Sequence, residues 1–388
     1  MAEYAVTEQV ATRPRARARE ASYLRNLDWV LLAAVGGIVA YGLWMVSGIT
    51  KDDITGDPNY YVVRQAAYAL IGVAGMAGMI LIDPSFWRKH YRVVYGLLIF
   101  MLVLTPVLGS SVRNTRRWID IGPFRFQPSE FGKLLLVLFL AAFLAERGKR
   151  IYERQTTTAA IGLAAVPMLL VFLQPDFGTA IVYAGILGAT LFIAGTRWSH
   201  VAVLLMLGAF LATFVLWAGP AIGVDVLKDY QLKRITGFMH PDQDPGGATY
   251  NITQSITAVG AGGVDGRGVN GATQTNSNYL PEHATDFVFA STAEQRGFLG
   301  VTILLLLYLL VIWRAIKVVT LARDAFSAIA AGGIAFALLL QIFINVGMTI
   351  GMAPITGIPL PFVSVGGSSM VANLLAVGVL QAICVRRR

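Results

Sequence analysis

Apolar residues run through this chain in long unbroken blocks, interrupted by short polar segments. A bilayer span needs roughly 20 consecutive apolar residues, and blocks of that kind fall near 28 to 48, 61 to 82, 93 to 109, 129 to 146, 158 to 174, 179 to 195, 199 to 222, 286 to 314, 326 to 352 and 366 to 385. The first is too long for a signal-peptide core and has no small-residue cleavage site ahead of a soluble chain, so it stays as a span. The pattern predicts an all-α, polytopic membrane protein with about ten transmembrane helices. Residues 1–26 carry Arg13, Arg15, Arg17, Arg19 and Arg25 with Pro14 and no apolar period, which predicts a disordered basic tail. Residues 27–388 then form a single membrane domain, whose largest polar segment, 223–285, lies between the seventh and eighth helices.

Composition agrees with that pattern. Of 388 residues, 56% are hydrophobic and only 14% charged, too apolar for a soluble domain. The net charge of +9 does not point to nucleic acid, because most of the lysines and arginines lie in alternate loops beside the apolar blocks. Ten spans put the tail, Arg88, Lys89 and Arg92, the 147–157 segment, Arg197, the 314–325 segment and Arg386 to Arg388 on one side, which the positive-inside rule makes cytoplasmic. Both termini are then inside, and 223–285 is an extracellular loop. The lone Cys384 leaves no internal disulfide and no cysteine-based metal site.

Two outer segments break the charge rule. The first, 110–128, carries Arg113, Arg116, Arg117 and Arg125; the large loop carries Lys228, Lys233, Arg234 and Arg267. Guanidinium groups suit bidentate binding of phosphate or pyrophosphate. The plainer alternatives are lipid headgroups or pairing with Asp120, Asp225 and Asp229. Polar residues inside apolar helices are costly and mark function by default. Glu130 and Lys133 are three apart, on one helix face and able to pair; the competing expectation is that Lys133 snorkels and Glu130 simply favours a helix N-terminus. Gln341 and Asn345 share a face of the ninth block, where an interhelical hydrogen-bonding role is the simpler reading. Gly72, Gly75 and Gly78 most simply allow close helix packing.

The stretch from Tyr250 to Gly297 gathers the chemistry. At its far end Glu282, His283 and Asp286 stand where polar loop meets the next helix, at a water–lipid boundary. Thr285 or Asp286 is a candidate cap for that helix; Asp286 is equally a carboxylate within reach of a substrate whose head is in water and whose tail is in lipid. GVDGRG lacks the strand–turn–helix context of a nucleotide fold.

NTRRWIDIG with QPSEFGK, QPDFGTA, YQLKRI with DPGG and YNITQS, LPEHATDFVFA, and TGIPLPFVSVGGSS occur in the order and spacing of the SEDS family of shape, elongation, division and sporulation proteins. The resemblance covers everything but the tail, and ITGIPLPFVS looks more like the elongation member, RodA, than the division member, FtsW. It implies a peptidoglycan glycosyltransferase that polymerises lipid II at the outer face of the bacterial cytoplasmic membrane during cell elongation. A class B penicillin-binding protein and other elongation-complex membrane proteins are the implied partners. The family's essential aspartate matches Asp286, and Arg117, Trp118, Glu130 and Lys133 match its other motif residues. The same motifs make Arg116, Lys233, Arg234, Gln254, Ser255 and Glu282 further substrate-binding candidates. The family's Glu-x-His-Thr-Asp reads Glu282, His283, Ala284, Thr285, Asp286 here, and its paired glutamates read Glu294 and Gln295.

Joined to the physics, the resemblance gives Asp286 as general base, or as ligand of a divalent cation, Mg or Mn. Arg116, Arg117, Lys133, Lys233 and Arg234 are candidates to stabilise the pyrophosphate leaving group. The competing classes are a flippase or transporter of a polyprenyl-linked sugar, the division-specific polymerase, and a scaffold that only activates a partner synthase.

Overall fold

The structure, a computed structural model, describes residues 25–112, 115–122, 124–214 and 249–386. Ten apolar helices account for the ten predicted blocks: α1 (Trp29–Ile49), α2 (Tyr60–Leu81), α3 (Tyr91–Leu108), α4 (Pro128–Arg147), α5 (Arg154–Leu173), α6 (Phe177–Ile193), α7 (Trp198–Thr213), α9 (Val288–Leu321), α10 (Ala325–Thr349) and α11 (Gly367–Val385). Eight are long and apolar enough to cross a membrane; α6 and α7 are shorter apolar helices. The polytopic all-α class is therefore right. The basic tail, all but its last two residues, and 223–248 of the large polar segment, with Lys228, Lys233 and Arg234, lie outside the described residues, as does Arg113.

Helices α4, α10 and α11 are almost wholly buried, whereas α2 and α3 show most of their surface, so the three apolar helices form the centre and the others wrap them. Close packing explains two of the small-residue positions. A methyl on Gly72 would fall 2.4 Å from Leu374 Cδ1 and one on Gly75 2.8 Å from Leu375 Cδ2, so α2 lies directly on α11, with no room for a side chain between them. Nothing lies near Gly78.

The connections are split between two ends of the bundle. At the basic end, Asp28 caps α1 through the Leu31 amide and pairs with Arg314, while Arg386 pairs with Asp83. The other end carries the longer polar segments. There the arginine-rich segment 110–126 is not a simple loop but a three-stranded antiparallel sheet, β1 (Ser110–Val112), β2 (Thr115–Ile121) and β3 (Phe124–Phe126). Asp120 stands opposite Arg125 across β2 and β3, and their side chains approach to 3.5 Å, the cross-strand pairing of opposite charges.

A further correction concerns the large polar segment, which contains a helix, α8 (Tyr250–Gly262). Ile252, Ser255, Ala258 and Gly262 are its buried residues, the three- and four-residue spacing of an amphipathic face. The helix after the polar stretch also differs from expectation. It begins at Val288, runs on to Leu321 and is broken at Gly297, whose φ of 64° is open to glycine. Amides freed at the break are taken up by 263–264: Phe298 donates to the Gly263 carbonyl at 2.8 Å and Leu299 to that of Val264 at 3.2 Å. Backbone irregularity at membrane depth is tolerated only when protein satisfies it in this way.

Candidate active site

Asp286 does not cap α9. The N-cap position is Phe287, and Thr285 gives its hydroxyl to the Glu282 carboxylate at 2.7 Å. The turn 281–287 that presents Asp286 is instead held by its neighbours. The Asn345 amide donates to the Asp286 carbonyl at 2.9 Å and to that of Ile358 at 2.8 Å, Ser364 Oγ donates to the Thr285 carbonyl at 2.5 Å, and the Val365 amide reaches the Ala284 carbonyl at 2.9 Å. The 353–366 segment thus lies along the turn as a backbone splint. It is fixed in turn by Gln65 of α2, which donates to Ser364 and accepts from Gly366, and by Tyr308, which donates to Pro361. Asp286 itself is half-buried beside Gly357, whose φ of 70° and missing side chain bring backbone against the carboxylate: a methyl there would sit 3.4 Å from Asp286 Oδ2.

His283 is buried three residues before Asp286 and bonded on both ring nitrogens, Nδ1 to the Leu280 carbonyl at 3.2 Å and Nε2 to the Asp53 carboxylate at 3.0 and 3.1 Å. Burial opposes its charge, but the Asp53 hydrogen bond and charge outweigh that, so its pKa is raised above the ordinary 6.5. The pair ties the α1–α2 connection to the Asp286 turn.

Lys133 does not snorkel. It is 6% exposed, donates to Glu130 Oε1 at 2.7 Å and reaches Gln341 Oε1 on α10 at 2.5 Å. Glu130 is 2% exposed, and its Oε2 has no hydrogen-bond partner. A cavity of about 20 Å³ opens between Glu130, Lys133, Gln341 and Asn373, room for a single water. Gln341 and Asn345, four apart on α10, therefore link the Glu130–Lys133 pair to the backbone of the Asp286 turn, as the shared helix face predicts.

Arg117 lies over the ring of Trp118, 5.3 Å from its centroid, and 3.8 Å from Asp176. Asp176 was not singled out from the sequence, yet it is the hub of this corner: it caps α6 through the Thr179 amide and accepts from Gln127 and Ser129 at 3.2 and 3.1 Å. The buried QPDFGTA acid following α5 was the available signal. Arg116 is exposed and donates to the Pro106 carbonyl at 3.4 Å. Ser255 is fully buried, its hydroxyl bonded to the Thr349 carbonyl at 2.8 Å, which docks α8 against the end of α10; Gln254 is half-buried beside it. Glu282 is half-buried with φ of 59°.

Among the described residues there is no group of three or more His, Cys, Asp or Glu side chains arranged to hold a metal. The turn carries two carboxylates, Asp286 and Glu282, the second accepting from Thr285, and a divalent cation held by Asp286 would take the rest of its oxygen shell from water and a bound ligand.

Fold and site together define an integral membrane protein with a polar, acid- and arginine-bearing cluster at one end of its helical bundle. Residues 25–388 match the FtsW/RodA/SpoVE model, described as cell cycle protein, and the chain belongs to that family. It is 38% identical over 354 residues to stage V sporulation protein E of Bacillus subtilis (strain 168), covering 90% of this chain and 93% of that one. It is 33% identical over 363 residues to peptidoglycan glycosyltransferase MrdB of Escherichia coli (strain K12), covering 94% and 95%. A solved chain from work on "structural coordination of polymerization and crosslinking by a peptidoglycan synthase complex" superposes with a TM-score of 0.79 at 28% identity, covering 93% of this chain and 98% of that one.

Proposed function

We propose that this chain is an elongation-type peptidoglycan glycosyltransferase that polymerises lipid II into glycan strands. The observation that carries the reading is the half-buried Asp286 carboxylate on a splinted turn, at the same bundle end as the Arg117–Asp176 and Glu130–Lys133 pairs. The relatives' names support the activity, and the ITGIPLPFVS segment supports the elongation role. The site end faces outward in this reading: Arg88, Lys89, Arg147, Lys149, Arg150 and Arg323 cluster at the opposite end, which the positive-inside rule makes cytoplasmic together with both termini.

In the reaction, the 4-hydroxyl oxygen of the acceptor sugar attacks the anomeric carbon of the lipid-linked donor. Asp286 takes the hydroxyl proton, the bond from anomeric carbon to phosphate oxygen breaks, and its electron pair leaves with the lipid pyrophosphate. Direct displacement inverts the anomeric centre. Proton transfer to a positioned carboxylate is worth roughly 100- to 10,000-fold. Arg117, held on Trp118, is placed to receive negative charge from the leaving group, and Lys133 supplies buried positive charge a turn deeper. Asn345 and Ser364 hold the backbone of the turn, so the carboxylate needs no rearrangement. A Mg or Mn ion brought with the pyrophosphate would be held by Asp286. The crosslinking named for the superposed complex supports a class B penicillin-binding protein as partner.

The reading is tested by giving purified full-length chain fluorescent lipid II, alone and with a class B penicillin-binding protein. Glycan ladders are expected. Movement of labelled lipid between leaflets of sealed vesicles without lengthening would instead identify a transporter.

A further inference from the structure

Arg296 sits in the first part of α9, just before the break at Gly297. About 27 Å of helix, at roughly 1.5 Å per residue, separates it from Arg314 at the basic end, which places it near the opposite headgroup boundary of a hydrocarbon core about 30 Å thick. Two other cations within the spans are paired, Lys133 with Glu130 and Arg314 with Asp28. Among the described residues no carboxylate lies within ion-pair distance of Arg296, and its buried Nε has no hydrogen-bond acceptor.

Its surroundings are aromatic. The guanidinium carbon stands 3.9 Å from the ring centroid of Trp44 on α1, within the range of a cation–π contact. Tyr41, one turn away, meets Trp44 edge-on at 5.7 Å and donates its hydroxyl to the Gly300 carbonyl at 2.9 Å, which locks α1 to α9 at this level. The shelf opens toward lipid, since Trp44 is 52%, Phe298 64% and Leu299 54% exposed. A membrane-embedded guanidinium without a counter-ion is costly. Its planar fork matches a phosphate bidentately, and an anionic headgroup reaching down from the interface would supply the missing counter-ion.

We infer that Arg296, Trp44 and Tyr41 form a docking site for the phosphodiester of an anionic glycerophospholipid, in the leaflet that adjoins the Asp286 turn. Access from the hydrocarbon side, between exposed apolar residues, fits a ligand with acyl chains and disfavours a free ion. The lipid would brace the α1–α9 seam beside the Gly297 break.

The test is native mass spectrometry of the full-length protein released from mixed phosphatidylglycerol and phosphatidylcholine nanodiscs, with thermal melting in parallel. Wild type should retain phosphatidylglycerol about tenfold over phosphatidylcholine, a difference of roughly 1.4 kcal/mol, and should melt higher when phosphatidylglycerol is added. Arg296→Gln should lose both effects, and Arg296→Lys, which keeps charge without the planar fork, should keep part of them. Trp44→Leu provides a second variant with the charge intact, expected to weaken the preference. Equal retention by wild type and Arg296→Gln, or by Trp44→Leu where Arg296→Gln does not fold, would overturn the inference. So would inorganic phosphate that stabilises wild type as well as phosphatidylglycerol does.

Discussion

Asp28 meets Arg314 at one end of the bundle and Glu130 meets Lys133 at the other, both buried and both joining an acid to a base at a helix start. At the first, every partner is in place: Arg314 reaches both Asp28 oxygens at 2.6 to 3.0 Å, the Leu31 amide caps onto Oδ1, and Gln381 exchanges two hydrogen bonds with the Asp28 backbone. At the second, one Glu130 oxygen is unpartnered, Lys133 is shared with Gln341, and a small cavity lies alongside. Buried charge is expensive, and it stabilises a fold only when geometry and surrounding hydrogen bonds are nearly complete. The complete pair is what a structural clamp needs. The incomplete one leaves buried charge free to answer a ligand, and it lies at the end that carries Asp286.

That contrast can be broken by substitution. Lys133→Met leaves Glu130 alone in the interior, so a destabilisation on the order of 3–5 kcal/mol is expected, with polymerisation lost. The double variant Glu130→Gln, Lys133→Met should regain much of that stability and stay inactive. Asp28→Asn with Arg314→Met should do the reverse, lowering the melting temperature while activity per folded molecule stays within about threefold of wild type, a difference under ~1 kcal/mol in the barrier. If both doubles behave alike in a melting and lipid II assay, the two pairs do not differ in role.

A smaller effect is expected at Arg117, where Ala removes the partner of Asp176 and the cation stacked on Trp118. Polymerisation should fall roughly 10- to 100-fold, about 1.4 to 2.8 kcal/mol, while Arg388→Ala leaves it unchanged; equal losses would remove the pyrophosphate role.

For His283 the pKa is raised in the fold, so its pairing with Asp53 stabilises below the unfolded pKa and is lost as pH rises through the folded value. Wild type should therefore lose more melting temperature than Asp53→Asn as pH rises from mildly acidic to mildly alkaline. Parallel curves would show that the pair is not charged. Ser255→Ala should cost least, about 1 kcal/mol for one hydrogen bond, with the rate per folded molecule unchanged.

The spans were legible because bilayer thickness fixes their length, and the Glu130–Lys133 pair because three residues along a helix return to one face. Asp286 was visible from its position at a boundary and from its motif. Contacts between distant segments were not: Asp53 meets His283 across 230 positions and Arg117 meets Asp176 only after α4 and α5 have packed. Two elements had a readable signal that polarity hid. Trp118, Ile119 and Ile121 near Gly122 signalled β-structure, and Ile252, Ser255 and Ala258 marked a helical face inside a segment read as loop.

The most direct measurement is lipid II polymerisation by the purified full-length chain and by Asp286→Asn, with melting temperatures recorded on the same samples. The account predicts a loss of at least about 100-fold with little change in melting, since Asn345 and Ser364 grip only the backbone of the turn. Glycan made at the wild-type rate by a folded Asp286→Asn protein would contradict it.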